Sequence, residues 1–62
     1  MTPPPTPLAR LEERLRSARQ YQRYYSTLTD ARSVREWHRY VATVRRLERE
    51  IAAETARIGR VA

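Results

Sequence analysis

At 62 residues, the chain is long enough for one small domain, whose own hydrophobic core would be marginal. It has no cysteine, which excludes disulfides and thiolate zinc sites as sources of stability, so association with copies of itself or with a larger partner is expected. All 13 basic residues are arginine, against seven acidic residues, and the resulting formal charge of +6 favours anionic partners.

The first segment, MTPPPTP, is predicted to be a Pro-rich arm over residues 1–7, because its prolines favour an extended polyproline conformation. Such an arm could reach a neighbouring subunit. The spacing of Pro4 and Pro7 matches a PxxP ligand, with an inert leader as the favoured alternative. The remaining residues, 8–62, are predicted to form a single helical-hairpin domain.

The first helix is predicted to begin with Thr6 as N-cap and Pro7 at the first helical position. Apolar residues then recur with a spacing that places them on one helical face: Leu8, Leu11, Leu15 and Ala18. The pattern loses its phase after Ala18. We therefore predict a helix from about residue 8 to between residues 20 and 27.

The segment between the helices, residues 21–32, is rich in tyrosine and threonine. Residues 24–29 favour β structure, but the turn chemistry of a tight hairpin is missing, so a polar connection is predicted, with a short β excursion as the alternative. Tyr21, Tyr24 and Tyr25 could stack on unpaired bases or pack at the loop end of a helical hairpin, and packing is the favoured interpretation.

The second helix is predicted over about 33–58. Ser33 and Glu36 have the spacing of a capping box, and Gly59 is a plausible C-cap. A heptad-like, coiled-coil-type apolar stripe follows: Val34, Trp37, Val41, Val44, Ile51 and Ile58. Two amphipathic helices with a short connection predict an all-α, antiparallel two-helix hairpin, completed by oligomerisation or docking.

Seven arginines of the second helix form one face when they are projected at 100° per residue, because the other six fall within about 60° of Arg35. This arginine face lies opposite the apolar stripe and consists of Arg32, Arg35, Arg39, Arg46, Arg49, Arg57 and Arg60. An ordinary solvated face is one interpretation. However, only Glu50 interrupts the positive charge, and a face so uniform in sign favours phosphates or an acidic protein surface.

Three aromatic residues are predicted to anchor an interface: Trp37, Tyr25 and Tyr40. His38 has no second metal ligand or paired carboxylate at a useful spacing, so it is interpreted as a surface histidine.

Several classes of function are excluded by what the sequence lacks. No apolar run approaches the roughly 18 residues of a membrane-spanning helix, and no apolar signal segment follows Met1, so we expect a cytoplasmic protein without a membrane partner. Catalysis needs a nucleophile beside a base, a metal cluster or a phosphate-cradling loop. The chain has one histidine, and its single glycine is placed as a helix terminator. We predict no enzyme activity, catalytic residue, cofactor or metal.

The run SVREWHRYVATVRRLEREIAAE, residues 33–54, resembles the second helix of the gpW-type phage head–tail joining proteins. The matching pattern comprises Ser33-Val34, Trp37 where the family often has Leu, Tyr40-Val41, Leu47-Glu48 and Glu50-Ile51. Residues 8–19, LARLEERLRSAR, would correspond to the first helix of that family. The resemblance implies a β-hairpin between the helices, for which only RYYSTLT could stand in. It also implies a ring subunit under the portal of a viral head, close to DNA, and thus a virion location.

Together these patterns predict a non-enzymatic assembly subunit, a small helical adaptor in a larger complex. In the phage interpretation it is a head–tail connector. The first alternative is a nucleic-acid-binding regulator, a hairpin dimer that would place its arginine face on backbone phosphates. The second alternative is an inhibitor that docks on an acidic protein surface. A protein partner or self-association is expected in the first interpretation, and nucleic acid is a candidate partner through its phosphates.

Overall fold

The computed structural model describes residues 6–61, and these residues form two α-helices and no strand. Helix α1 spans Pro7–Ser26 and helix α2 spans Ala31–Val61, so a connection of residues 27–30 joins them. The predicted all-α helical hairpin is confirmed. The predicted Pro-rich arm falls mainly on residues 1–5, which lie outside the described residues, and Pro7 is the first residue of α1.

Helix α1 begins where the sequence predicts. The Thr6 side chain accepts a hydrogen bond from the backbone N–H of Ala9 at 3.1 Å, and Thr6 has the extended backbone of an N-cap residue. Pro7 follows at the first helical position, where its missing N–H costs no intrahelical hydrogen bond.

Helix α1 ends in a run of hydroxyl side chains. The Ser26 hydroxyl donates to the carbonyl of Arg23 at 2.6 Å, and the Thr27 hydroxyl donates to the carbonyl of Tyr24 at 2.8 Å. The Thr27 backbone N–H also bonds to Tyr24, which closes the last turn. Because these local bonds satisfy the final carbonyls, Tyr24 and Ser26 remain helical. The alternative of a β excursion is therefore wrong for this segment.

Helix α2 begins at Ala31 rather than at Ser33, and Asp30 is its capping residue. One Asp30 carboxylate oxygen accepts from the backbone N–H of Ser33 at 3.0 Å, and the other accepts from the Ser33 hydroxyl at 2.7 Å. Glu36, the predicted partner of Ser33, instead accepts from Arg39 at 3.3 Å. The predicted capping box of Ser33 and Glu36 is thus wrong, because Asp30, three residues earlier, caps the helix and Ser33 is then buried in the first turn.

Helix α2 also continues past its predicted end. Gly59 was expected to terminate the helix, but α2 runs through Gly59 to Val61. A glycine C-cap requires the left-handed conformation, and no glycine in residues 6–61 has a positive φ. Gly59 is therefore an ordinary helical residue of α2.

The core between the helices is small. Its buried apolar residues are Ala18, Val44 and Leu47, and the partly buried Leu11, Leu15 and Tyr40 pack against them. The antiparallel arrangement brings Arg19 of α1 to Glu48 of α2, with 3.4 Å between their charged atoms. The described part of the chain extends 48 Å in one direction and only 12 Å in another. It is a single layer of two helices with solvent on both sides.

Candidate functional site

The arginine face is exposed along the whole of α2. All seven of its members have exposed side chains: Arg32, Arg35, Arg39, Arg46, Arg49, Arg57 and Arg60. At a rise of roughly 1.5 Å per residue, the distance from Arg32 to Arg60 is about 42 Å. Because Val44 and Leu47 of the same helix are buried against α1, the arginine face points away from the core.

Two members of the arginine face have carboxylate partners on α2. Arg39 lies 3.3 Å from Glu36, and the Nε of Arg57 donates to Glu54 at 3.2 Å. The hydrogen bond from Arg57 lowers the pKa of Glu54 and raises the pKa of the Arg57 guanidinium, so this pair stays ionised. Both pairs join residues three apart on the helix surface, an arrangement that stabilises helices only slightly.

The other five arginines of the face form no ion pair with any residue between 6 and 61; they are Arg32, Arg35, Arg46, Arg49 and Arg60. A row of like charges on one helical face repels itself and is relieved by a polyanion. Guanidinium groups also bind phosphate and carboxylate in a bidentate manner. Chemically, the arginine face is thus suited to a linear anion or an acidic surface.

The predicted interface anchors Tyr25 and Tyr40 are used within the hairpin. The Tyr40 ring stacks on Tyr21 with centroids 5.2 Å apart and on Tyr25 with centroids 5.7 Å apart, both nearly parallel. Tyr24 meets Tyr25 edge-on at 5.1 Å. The tyrosine stack, defined as Tyr21, Tyr40 and Tyr25, therefore ties α1 to α2 near the connection. Whether any of these rings also meets a partner stays a prediction.

Trp37, the third predicted anchor, lies half-buried on the surface of α2. Its indole meets the ring of His38 edge-on at 5.0 Å. It also lines a shallow hollow with Tyr25, Leu28 and Val34, and the last two are large apolar residues left exposed. This apolar hollow lies beside the connection, where a neighbouring chain could cover it.

Sequence reasoning missed a second charged surface, a groove between α1 and α2 that carries three arginines and two glutamates. It is lined by Arg10 and Arg14 of α1, by Arg46 of α2, and by the rings of Tyr21 and Tyr40. Residues 10, 14 and 21 share one stripe of α1 at helical spacing, which is the signal that could have revealed it. Their meeting with Arg46 depends on how the two helices are aligned.

Two other kinds of site are absent from the part of the chain that the structure describes. No group of three or more histidine, cysteine, aspartate or glutamate side chains there could hold a metal ion. Neither described helix is long and apolar enough to cross a membrane.

The resemblance to head–tail joining proteins implied a β-hairpin between the helices, and residues 27–30 form only a short connection without strands. No protein-family model, curated protein or solved structure matches this chain. The resemblance therefore stays a prediction.

Proposed function

We propose that this chain is a non-enzymatic assembly subunit, a two-helix adaptor that docks by its uncovered apolar surface on a neighbouring protein chain. The observation that carries the proposal is the incomplete core. Three apolar residues are buried, whereas five large hydrophobic residues of the described chain are more than a third exposed: Tyr21, Tyr24, Leu28, Val34 and Ile58.

The size of the core explains why a neighbour is needed. A chain of about 60 residues buries only about 60% of the surface that its unfolded form exposes, which leaves it marginally stable. Two helices in one layer cannot enclose a large side chain, and no side chain in residues 6–60 is less than 2% exposed. Covering the apolar hollow of Leu28, Val34 and Trp37 would add the burial that the hairpin lacks.

The finer form of this proposal is a head–tail connector of the phage type. Its support is the likeness of the helices to that family, together with an arginine face that could meet packaged DNA or an acidic portal surface. The short connection of residues 27–30 counts against it, since the family implies a β-hairpin at that place.

The assembly proposal is tested by sedimentation velocity and urea unfolding over a wide range of protein concentration. We expect self-association, with an unfolding midpoint that rises with concentration, because burial of the apolar hollow stabilises the folded state by mass action. Val34→Glu should keep the chain monomeric and lower the midpoint. Arg35→Glu changes an exposed residue outside the hollow and serves as the matched control.

A monomer at every concentration, with an unfolding free energy of at least about 5 kcal/mol, would contradict the proposal. Such a hairpin would be complete without a neighbour.

A second function, binding of nucleic acid through backbone phosphates, is favoured by the five unpaired arginines of the arginine face. The test is fluorescence anisotropy of a labelled duplex between about 50 and about 300 mM salt. Five to six neutralised phosphates would give a log–log slope of about −4 to −6. Replacing Arg35 and Arg49 together by alanine should make this negative slope shallower by about 2.

The matched control for that pair of substitutions is Arg16→Ala with Arg23→Ala, which removes the same charge from exposed positions of α1. Equal effects of the two double variants would show that overall charge, not the arginine face, drives binding. No binding at the lowest salt would contradict the nucleic-acid function and direct the search to an acidic protein surface.

A further inference from the structure

The groove beside the tyrosine stack combines an open aromatic ring with unpaired arginines. It has a volume of about 550 Å³, within the usual range for small-molecule sites. Tyr21 and Tyr40 lie at the end nearer the connection, and the groove follows both helices away from it. Its polar lining comprises Arg10, Glu13, Arg14, Ser17, Thr43, Arg46 and Glu50.

The order of rings in the tyrosine stack leaves one face of Tyr21 free of aromatic partners. Tyr40 stacks nearly parallel on both Tyr21 and Tyr25, while Tyr21 and Tyr25 do not stack on each other within the described chain. Among the described residues, Tyr40 is thus the aromatic partner of Tyr21, on one face of its ring. The opposite face of Tyr21 is its outer face; the residue is 51% exposed and lines the groove.

A ring held on one face in this way is a prepared stacking platform. Tyr21 is oriented by its contact with Tyr40, so a further aromatic ring can stack on its outer face without first ordering the tyrosine. Every nucleobase has such a π-face, and base–aromatic stacking is tolerant of sequence.

Arginines lie within reach of such a base. Arg14 is seven residues before Tyr21, and Arg46 is six residues after Tyr40, which correspond to roughly 9–11 Å along the helices. Neither Arg14 nor Arg46 forms an ion pair with a residue between 6 and 61. Glu13 and Glu50 also line the groove, but they lie farther along the helices from the two rings than Arg14 and Arg46 do.

We propose that this groove binds a phosphorylated nucleoside unit, with the base on the outer face of Tyr21 and the phosphate between Arg14 and Arg46. Arg46 also belongs to the arginine face, so the two surfaces are continuous. A single strand could follow the arginine face and turn one base into the groove. The site extends the proposed nucleic-acid function from backbone phosphates to unpaired bases. It rests on that proposed function only through Arg46, which both surfaces share.

The test compares two labelled probes with the same number of phosphates, oligothymidylate of about 12 nucleotides and a strand of equal length made of abasic sites. Anisotropy at low salt should show oligothymidylate binding at least about fivefold, and up to roughly a hundredfold, more tightly, the range expected for stacking of one base. Tyr21→Leu should abolish this preference and Tyr21→Phe should retain it.

Tyr24→Leu is the matched control, because Tyr24 is 59% exposed and lies outside the groove. It should leave the preference unchanged. Arg14→Gln should weaken both probes equally and reduce the salt slope by about 0.7, the value for one phosphate contact on a single strand. Circular dichroism of each variant establishes that the hairpin is still folded.

Equal affinity for the two probes would overturn the proposal, as would an equal loss of preference in Tyr21→Leu and Tyr24→Leu. The nucleic-acid function is judged separately, by the duplex and its dependence on Arg35 and Arg49. Competition with adenosine monophosphate identifies the source of the ligand. If adenosine monophosphate displaces the labelled strand from the wild type in a manner that requires Tyr21, the natural ligand is a free nucleotide. If the strand stays bound, the ligand is single-stranded nucleic acid. Both outcomes support the site.

Discussion

The two ends of the hairpin are built very differently. At the connection, the tyrosine stack joins α1 to α2, and Asp30 caps α2 through two hydrogen bonds from Ser33. At the open end, α2 is longer than α1, with 31 residues against 20, and its Ile58 is 47% exposed. Gly59 lies in the last turns of α2, and a Cβ added to it would meet no side chain and no atom of α1 within 4 Å.

The difference shows how a short chain distributes its stability. Side chains that hydrogen-bond or stack near the connection hold the helices together at the end where a loop of only four residues joins them. The ends of such a short loop are already close, so closing it costs little chain entropy. Among residues 6–60, no side-chain hydrogen bond or ring stack joins the helices at the open end, and such an end frays more readily. A neighbour that covers the open end would therefore add stability where the chain itself contributes least.

The largest effect is expected at the centre, between the two ends. Leu47 is 3% exposed, so Leu47→Ala should destabilise the hairpin by about 2–5 kcal/mol and leave it largely unfolded. Ile58→Ala, the corresponding truncation at the open end, should cost less than about 1 kcal/mol. Urea unfolding followed by circular dichroism measures both variants. Equal losses would show that the open end is as well packed as the centre.

The next largest effect concerns the connection end. Tyr40→Ala removes the central ring of the tyrosine stack and should cost about 2 kcal/mol, from lost burial and two stacking contacts. Tyr24→Ala removes only an edge-on contact of a more exposed ring and should cost about 0.5–1 kcal/mol. If the two variants unfold at the same urea concentration, the tyrosine stack does not hold this end together.

A smaller, pH-dependent effect is expected for the cap of α2. The Ser33 hydroxyl, and then its backbone N–H, hold the pKa of Asp30 below its usual value of 3.8. The folded-state pKa is thus lower than that of the unfolded chain, so the contribution of Asp30 is present above about pH 4 and is lost as pH falls through the folded-state pKa. Asp30→Ala should lower the urea midpoint at neutral pH and have little effect in acid.

Two variants serve as controls for that prediction. Asp30→Asn keeps a capping side chain that does not titrate, so it should retain more stability than alanine and lose the part of the pH dependence that Asp30 contributes. Thr29→Ala changes an exposed neighbour in the connection and should leave the midpoint unchanged. A wild-type midpoint that is flat between about pH 2 and pH 5 would contradict the role of Asp30.

The smallest effect, opposite in sign, is expected at the open end. Gly59 is helical with a negative φ, and an added Cβ would meet no atom within 4 Å, so Gly59→Ala should stabilise α2 by up to about 1 kcal/mol. Ala56→Gly, at an exposed position one turn earlier, should have the reverse effect. Helical content by circular dichroism measures both, and a loss of helix in Gly59→Ala would mean that this end of α2 is not helical in solution.

Periodicity and capping chemistry predicted most of the fold. Thr6 and Pro7 mark the beginning of α1 because their roles are local to the chain. The beginning of α2 was misplaced because Asp30 and Ser33 are both good caps with suitable neighbours. Burial of Ser33 to 6% exposure favours the earlier cap, and that burial is a tertiary property. Gly59 fails as a C-cap for a related reason, since a glycine ends a helix only when the chain turns there.

The candidate sites also differ in how far the sequence alone predicts them. The arginine face lies on one helix, so a projection of α2 predicts its members, and the structure places all seven side chains in solvent. The groove is made by two helices, and its meeting of Tyr21 with Tyr40 depends on their alignment. Residues from separate helices can be placed together only when that alignment is known.

The hollow shared by Tyr25 and Trp37 has a consequence for spectroscopy. The single tryptophan lies beside a cluster that contains all four tyrosines of the chain. Excitation energy absorbed by the three tyrosines of α1 passes efficiently to the indole while the two helices remain packed together. Emission from Trp37 after excitation of tyrosine is therefore a label-free signal for the separation of the helices, and it originates far from both the open end and most of the arginine face.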